Sequence, residues 1–370
     1  KNKKTIDNEK NIYYNVYIKI GEILRQEKIM SEFYTEKIEK SPRIDKLKAD
    51  LFKLPPQIEA DRAVLLTESY KATEGEPIIM RRAKAFEHIL DNIPIIIRDG
   101  ELIAGSATIR PRSCQVFPEF SFEWLEKEFD TVATRTADPF YISEDTKKTL
   151  HEVYKYWKGK TTSDLATSYM TPETLMAMKH NMFTPGNYFY NGIGHVTVDY
   201  GKVITYGYSE YIEEIEDELS SMRVSDGNYC KKHALLEAML ISLRAVIRYA
   251  KRYSRLAKEM AGREPDGKRR EELLKISEAC DRVPEFGARD FHEACQSFWF
   301  VQMLLQTESS GHSISPGRFD QYMYPHYKKS LEAGMSREQA QELIDCVWVK
   351  LNDLNKCRDE VSAEGFAGYS

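Results

Sequence analysis

From Arg43 onward, apolar residues recur mainly at helical spacing. Ile44, Leu47, Leu51 and Leu54 repeat every three or four positions until Pro55 and Pro56 stop the run. A second helix is expected from near Glu59, with Ala63, Leu66 and Tyr70 on one side, and a third over about 78–90. Two short apolar runs, Ile95 to Ile97 and Leu102 to Gly105, flank the turn-type residues Arg98, Asp99, Gly100 and Glu101 and read as a small hairpin or strand pair. Residues 106–122 are irregular, with Pro111 and Pro118, and helices follow at about 144–157 and 172–179. The longest helix should run from about Lys231 to Met260, where Leu235, Met239, Leu243, Val246, Ala250, Tyr253, Ala257 and Met260 form a continuous stripe. Gly262, Pro265 and Gly267 interrupt it, and 268–280 resumes helically. The run from Phe298 to Leu305 would bury as a helix or a barrel strand, and Ser336 with Gln339 is a capping box opening a helix through Leu351.

No internal repeat, low-complexity tract or linker follows Arg43, so one compact, helix-dominated unit over 43–370 is expected. The first 42 residues, rich in Lys, Asn, Glu and Tyr, carry one amphipathic run at Val16, Ile20, Ile23 and Leu24. They read as a poorly structured or helical N-terminal extension, the alternative being a short helix that docks to a partner or a compartment shell.

Composition narrows the function classes. With 370 residues and 42% hydrophobic content the chain can bury a substantial core. Its 53 basic and 58 acidic residues leave a net charge of −5, which gives no reason to invoke nucleic acid or an anionic membrane. No apolar stretch approaches the ~20 residues of a membrane span. Cys114, Cys230, Cys280, Cys295, Cys346 and Cys357 lie far apart, with no C-x-x-C pair. They read as reduced, mostly buried thiols of a cytosolic protein that handles a small molecule. The chain starts at Lys1 without a secretory pattern, so its N-terminus is either processed or cut.

Two segments escape the helical pattern. Residues 309–327 mix small, polar and aromatic types and break at Gly311, Pro316 and Gly317, the mark of a loop leaving a buried element. On it, His312 and Ser313 supply an imidazole and a hydroxyl able to bind a small hydroxylated molecule in a dry pocket, although such a pair can equally satisfy a turn's own backbone. Residues 187–195 combine Gly192 and Gly194 with His195. The two glycines lack the third glycine of a dinucleotide fingerprint, so no cofactor-binding residue is nominated. A lone histidine is more often structural than catalytic, and the residues by themselves do not decide His195. Arg318 with Asp320, and Lys350 with Asp353, read as ion-paired scaffold groups. His292 and Glu293 lack the second histidine of a zinc helix, and no metal site is expected.

The sequence GHSISPGRFDQYMYP at 311–325 closely resembles the glycyl radical enzymes of the pyruvate formate-lyase-like class, specifically the B12-independent glycerol and propane-1,2-diol dehydratases. The resemblance runs from about Arg43 to Ser370. It takes in Leu66 to Lys71, Arg112 to Phe120, Gly159 to Thr162, Tyr190 to Lys202 and Asp345 to Asp353 in order. It implies an α/β fold, helix-dominated, of which this chain supplies the first half of a ten-stranded barrel with its surrounding helices. By that resemblance His195 is the catalytic histidine that hydrogen-bonds the leaving hydroxyl, and His312 and Ser313 contact the substrate hydroxyls. Tyr369 is a candidate for a tyrosine lining the substrate pocket, the alternative being a tyrosine beyond Ser370. Gly368 precedes Tyr369 but no Arg-Val precedes Gly368, so it does not match the radical-storing motif.

The implied reaction eliminates water from glycerol or propane-1,2-diol to give an aldehyde. A glycyl radical, on a glycine beyond residue 370 and installed by a radical SAM activating enzyme, generates a cysteine thiyl that takes hydrogen from the diol. A glutamate and the histidine, with an acidic partner, then move the protons. The cysteine-glutamate loop and the radical loop are not in this sequence. The expectation is therefore the N-terminal portion of a longer enzyme, inactive alone, homodimeric at full length, and cytoplasmic or inside a bacterial microcompartment. The alternatives are another glycyl radical enzyme, such as a choline trimethylamine-lyase or a formate acetyltransferase homologue, and a non-catalytic truncated helical binding protein. Choline lyases lack the Gly-His-Ser run, which favours cleavage of C–O over C–N.

Overall fold

The structure is a computed structural model that describes residues 41–180, 182–183, 191–192 and 194–366. The expectations for the N-terminal extension, up to residue 40, and for Tyr369 lie outside the described residues. The chain divides into two units after Ser41, and every named element belongs to the second. It opens with α1 (Pro42–Phe52), β1 (Ile58–Glu59), α2 (Asp61–Ala72), α3 (Ile78–Asn92) and β2 (Cys114–Gln115). Next come α4 (Glu123–Glu128), α5 (Glu144–Trp157), α6 (Thr162–Ser168), α7 (Pro172–Lys179), α8 (Tyr200–Tyr206) and α9 (Tyr208–Ser221). It continues with α10 (Tyr229–Arg263), α11 (Gly267–Arg282), α12 (Phe291–Glu308), α13 (Phe319–Glu332), α14 (Arg337–Leu351) and α15 (Glu360–Phe366).

Local chemistry sets many of these ends. Ser143 accepts a hydrogen bond from the Thr146 amide to cap α5, and Thr171 does the same for α7, whose first residue is Pro172. Thr161 with Asp164 and Ser336 with Gln339 form reciprocal capping boxes. The pillar α10 is 35 residues long and packs against α3 and α11. Its stripe is buried from Ala245 to Ala261, but Leu235 and Met239 are 44% and 39% exposed. With Ile79, Phe86, Tyr211 and Leu305 they line an apolar cavity of about 530 Å³.

The element that positions everything else is α12. Its run is apolar almost all round, and a helix with that pattern must sit inside the protein. Phe298, Trp299, Phe300 and Met303 have no exposed surface, and α8, α11, α13 and α14 surround the helix. The sequence left helix or barrel strand open for this run; it is a helix.

Two expectations need correction. The hairpin over 95–105 does not form. Its turn exists, with Glu101 N–H on Arg98 O at 3.2 Å, but the second segment takes side-chain partners in place of a strand. Gln296 bonds both the N–H and the C=O of Ala104, at 2.7 and 2.8 Å. Trp299 and Lys350 donate to Gly105 O, and Tyr253 accepts from Ser106 N–H. A buried extended backbone must find partners somewhere, and here helices α10, α12 and α14 provide them. The second correction concerns Lys350 and Asp353, which do not pair with each other: Lys350 bonds Glu101 at 2.7 Å, and Asp353 bonds Arg98 at 2.7 Å.

Among the described residues the only sheet is the parallel pair β1–β2. Isolated parallel bridges extend it, Tyr141 to Gln57 on one side and Cys114 to Asn355 on the other, and a separate parallel bridge joins Thr197 to Ser315. The fold is thus helix-dominated, with only short parallel strand fragments among the described residues. No described helix is long and apolar enough to cross a membrane.

Candidate functional site

The site grows out of the C-terminal end of α12. A helix end leaves four carbonyls without partners inside the helix, and the usual remedy is a left-handed glycine that turns the chain back on itself. Here Ser309 leaves in the extended conformation, at φ −136° and ψ 141°. Two buried basic residues take up most of the carbonyls. Arg62 donates to Thr307 O at 2.7 Å and Glu308 O at 3.3 Å, while Lys356 donates to Gln306 O at 2.9 Å and Ser309 O at 3.1 Å. Ser309 N–H closes the set on Leu305 O at 3.2 Å.

Both side chains lie over the Phe117 ring, whose centroid is 3.8 Å from the Arg62 guanidinium carbon and 4.9 Å from Lys356 Nζ. Glu119 bonds two guanidinium nitrogens of Arg62, at 2.6 and 3.2 Å. Burial drives the Lys356 ammonium well below its ordinary range, with Arg62 and Arg358 adding to the effect.

Beyond Ser309 the loop pairs with the segment that carries His195. Gly192 N–H donates to Ser310 Oγ at 2.7 Å, His195 N–H to His312 O at 2.8 Å, and Ser315 N–H to Val196 O at 2.9 Å. Gly194 makes this approach possible, because a Cβ there would lie 2.1 Å from His312 O. The rings of His195 and His312 then meet edge to face, with centroids 4.7 Å apart and planes at 76°.

His195 and Ser313 both adopt left-handed backbone, at φ 55° and 59°. Non-glycine residues seldom do so without compensation, and such strain concentrates at binding and catalytic sites. His312 is buried, at 6% exposure, whereas His195 and Ser313 are exposed. The described residues therefore do not close the dry pocket expected around them. Burial, followed by the positive charges of Arg358, His195 and Lys356, holds the His312 pKa down to about 4. A neutral imidazole against a second imidazole, with a hydroxyl on the next residue of the loop, supplies groups that can hydrogen-bond hydroxyls and pass a proton.

The structure thus brings His195 and His312 together, with Ser313 next along the same loop, and it pairs Arg318 with Asp320 on the surface, at 3.2 Å. Among the described residues no group of three or more His, Cys, Asp or Glu side chains is placed to hold a metal ion. Sequence reasoning missed Arg62, Phe117 and Lys356. One signal was available: Arg62 shares the i, i+4, i+8 row of α2 with Leu66 and Tyr70, and a charge on a buried row needs a partner.

A helix-dominated body with parallel strand fragments, bearing two histidines and a serine on paired loops, defines the class. The chain belongs to the pyruvate formate lyase-like family, which matches residues 34–370. A solved structure concerned with 1,2-propanediol dehydration in Roseburia inulinivorans is 64% identical, with a TM-score of 0.88, over 90% of this chain and 40% of its own. The glycerol-bound B12-independent glycerol dehydratase of Clostridium butyricum is 52% identical, with a TM-score of 0.87, over 90% of this chain and 42% of its own. The (2S)-3-sulfopropanediol dehydratase of Klebsiella oxytoca is 33% identical over 340 residues, 89% of this chain and 41% of that protein. The chain spans about two-fifths of the length of these relatives.

Proposed function

We propose that the chain carries the hydroxyl-binding part of a glycyl radical diol dehydratase, which eliminates water from propane-1,2-diol or glycerol to give an aldehyde. The observation that carries this reading is the pairing of His195 with His312, by a 2.8 Å backbone bond and a 4.7 Å ring contact, with Ser313 next along the same loop. It gains support from two solved relatives whose descriptions name dehydration of such diols or bound glycerol. In this reading His195 hydrogen-bonds the departing hydroxyl, Ser313 and His312 fix its neighbour, and Tyr369 adds a phenol to the pocket. The glycyl radical, on a glycine beyond residue 370 and installed by a radical SAM activating enzyme, supplies removal of hydrogen from carbon. Ordinary acid–base side chains are too weak for that step, so the work of this chain's own residues is to orient the diol and carry the proton.

The parallel bridges Tyr141 to Gln57, Ile58 to Cys114 and Cys114 to Asn355 suit the first half of an α/β barrel, since parallel strands need crossover helices and cover on both faces. The same reading makes the full-length enzyme a homodimer of the cytoplasm or a bacterial microcompartment.

The test is a titration of this chain with propane-1,2-diol in the millimolar range, following the ring protons of His195 and His312. Both should move with the diol but not with propan-1-ol. Ser313→Ala should weaken the diol effect roughly tenfold. Rings that stay unmoved, or that respond equally to the mono-ol, would overturn the reading. In the product of the complete reading frame, assayed anaerobically with its activating enzyme, His195→Ala should abolish aldehyde formation.

A further inference from the structure

Helix α12 ends without a glycine, yet its last carbonyls are all occupied and the chain emerges straight into the loop that holds His312. We infer that Arg62 and Lys356 are positioning residues: together they clamp the C-terminal carbonyls of α12 and so aim the 309–315 loop at His195. The inference rests on the proposed function only in taking that loop as the substrate loop.

Three features carry it. The two residues divide the exposed carbonyls between them, Thr307 and Glu308 for Arg62, Gln306 and Ser309 for Lys356, so neither replaces the other. Both come from distant parts of the chain, α2 and the segment after α14, and both are buried, at 2% and 8% exposure. The Arg62 guanidinium kept inside at the helix C-terminus interacts favourably with the negative end of the dipole and is held by Glu119, while Lys356 acts through the N–H donors it keeps in either protonation state. Past the clamp, the loop is registered against the His195 segment by Gly192 N–H to Ser310 Oγ, His195 N–H to His312 O and Ser315 N–H to Val196 O, and Gln302 of α12 itself donates to Ile314 O at 3.1 Å. A shift in the exit direction at Ser309 therefore passes directly to the His195–His312 contact.

Amide hydrogen exchange in this chain tests the clamp. In Lys356→Met, which keeps the stem and removes the donor, exchange at His195, Ser309 and Ser315 should accelerate roughly ten- to a hundred-fold, while the buried centre of α10 is unchanged. Lys356→Arg, which restores a donor, should recover a good part of the protection. Arg62→Met, which removes the donors to Thr307 O and Glu308 O, should loosen the same three amides. The clamp is refuted if either removal leaves those amides as protected as before, if the loosening spreads evenly over α10 and α11, or if Lys356→Arg behaves like Lys356→Met. These readouts do not involve the diol. A chain that binds no diol but loosens as described would retain the clamp and lose the proposed function, and the reverse result would do the opposite.

Discussion

Gly194 and His312 touch at the backbone: a Cβ added to Gly194 would sit 2.1 Å from the His312 oxygen and 2.5 Å from its nitrogen. Backbone atoms cannot swing aside as a side chain can, so the two strands of the site can pair only because residue 194 is glycine. Gly194→Ala should separate them. The expected cost is about 1–3 kcal/mol of stability, as for other forced overpacking. In addition, the ring-proton shifts that report the His195–His312 contact should be lost, measured by urea unfolding and by NMR. Gly262→Ala is the matched control. It lies in α10 with nothing within 4 Å, so it should stabilise by roughly 0.5–1 kcal/mol.

The pH dependence of stability should carry the mark of His312. Its folded pKa, lowered from 6.5 to about 4, lies below that of the unfolded chain. Above the unfolded value both states are neutral and the group contributes nothing. As the pH falls between the two values only the unfolded state binds the proton, so stability declines, and below the folded value the loss is complete. The full loss is on the order of 3 kcal/mol. His292 and His326 are depressed in the same direction by burial, so His312→Gln should flatten the slope without abolishing it. Urea melts from neutral pH down to about pH 4.5 would show this, and equal slopes in the two proteins would count against it.

Much of the fold was legible because it is written locally. The capping box at Ser336 and Gln339, the proline stop after Leu54 and the period of α10 are decided by residues within a few positions of each other. The site loop was legible for a different reason: Gly311, Pro316 and Gly317 cannot continue a helix, and His312 and Ser313 stand between them. What escaped was every feature settled by distant partners. Ile95 to Ile97 and Leu102 to Gly105 have strand-like composition, but Gln296, Trp299, Lys350 and Tyr253 decide the conformation of the second run from more than a hundred residues away. The exposed start of the α10 stripe, at Leu235 and Met239, escaped for the same reason, since periodicity identifies an apolar face but not what covers it.

The replacement of a strand by side chains can be tested at Gln296. It has no exposed surface, and it satisfies both backbone groups of Ala104 at 2.7 and 2.8 Å. Gln296→Leu is close in volume but leaves a buried N–H and C=O without partners. The expected cost is about 2–4 kcal/mol, with the Ala104 amide losing its exchange protection. A small loss with the amide still protected would mean that the segment draws on other partners.

The Lys350–Glu101 pair gives the largest expected effect. The two side chains are 4% and 6% exposed and lie 2.7 Å apart, and Lys350 also donates to Gly105 O at 2.8 Å. Glu101 has further partners, the Arg98 amide at 2.9 Å and the Arg98 guanidinium at 3.6 Å, while Asp353 holds that guanidinium from its other side. Lys350→Met therefore removes one charge from a buried balanced set and leaves the Glu101 carboxylate without its closest cation. Breaking a buried pair in this way typically costs about 3–5 kcal/mol. Glu101→Gln should cost less, because the amide still accepts from Arg98 and leaves Lys350 a carbonyl to bond. The double variant should be more stable than the sum of the two losses allows, by about 1–3 kcal/mol of coupling, since the second change removes the partner that the first left unpaired. Unfolding curves for the four proteins of this cycle measure that difference directly, and strict additivity would show that the two groups act independently.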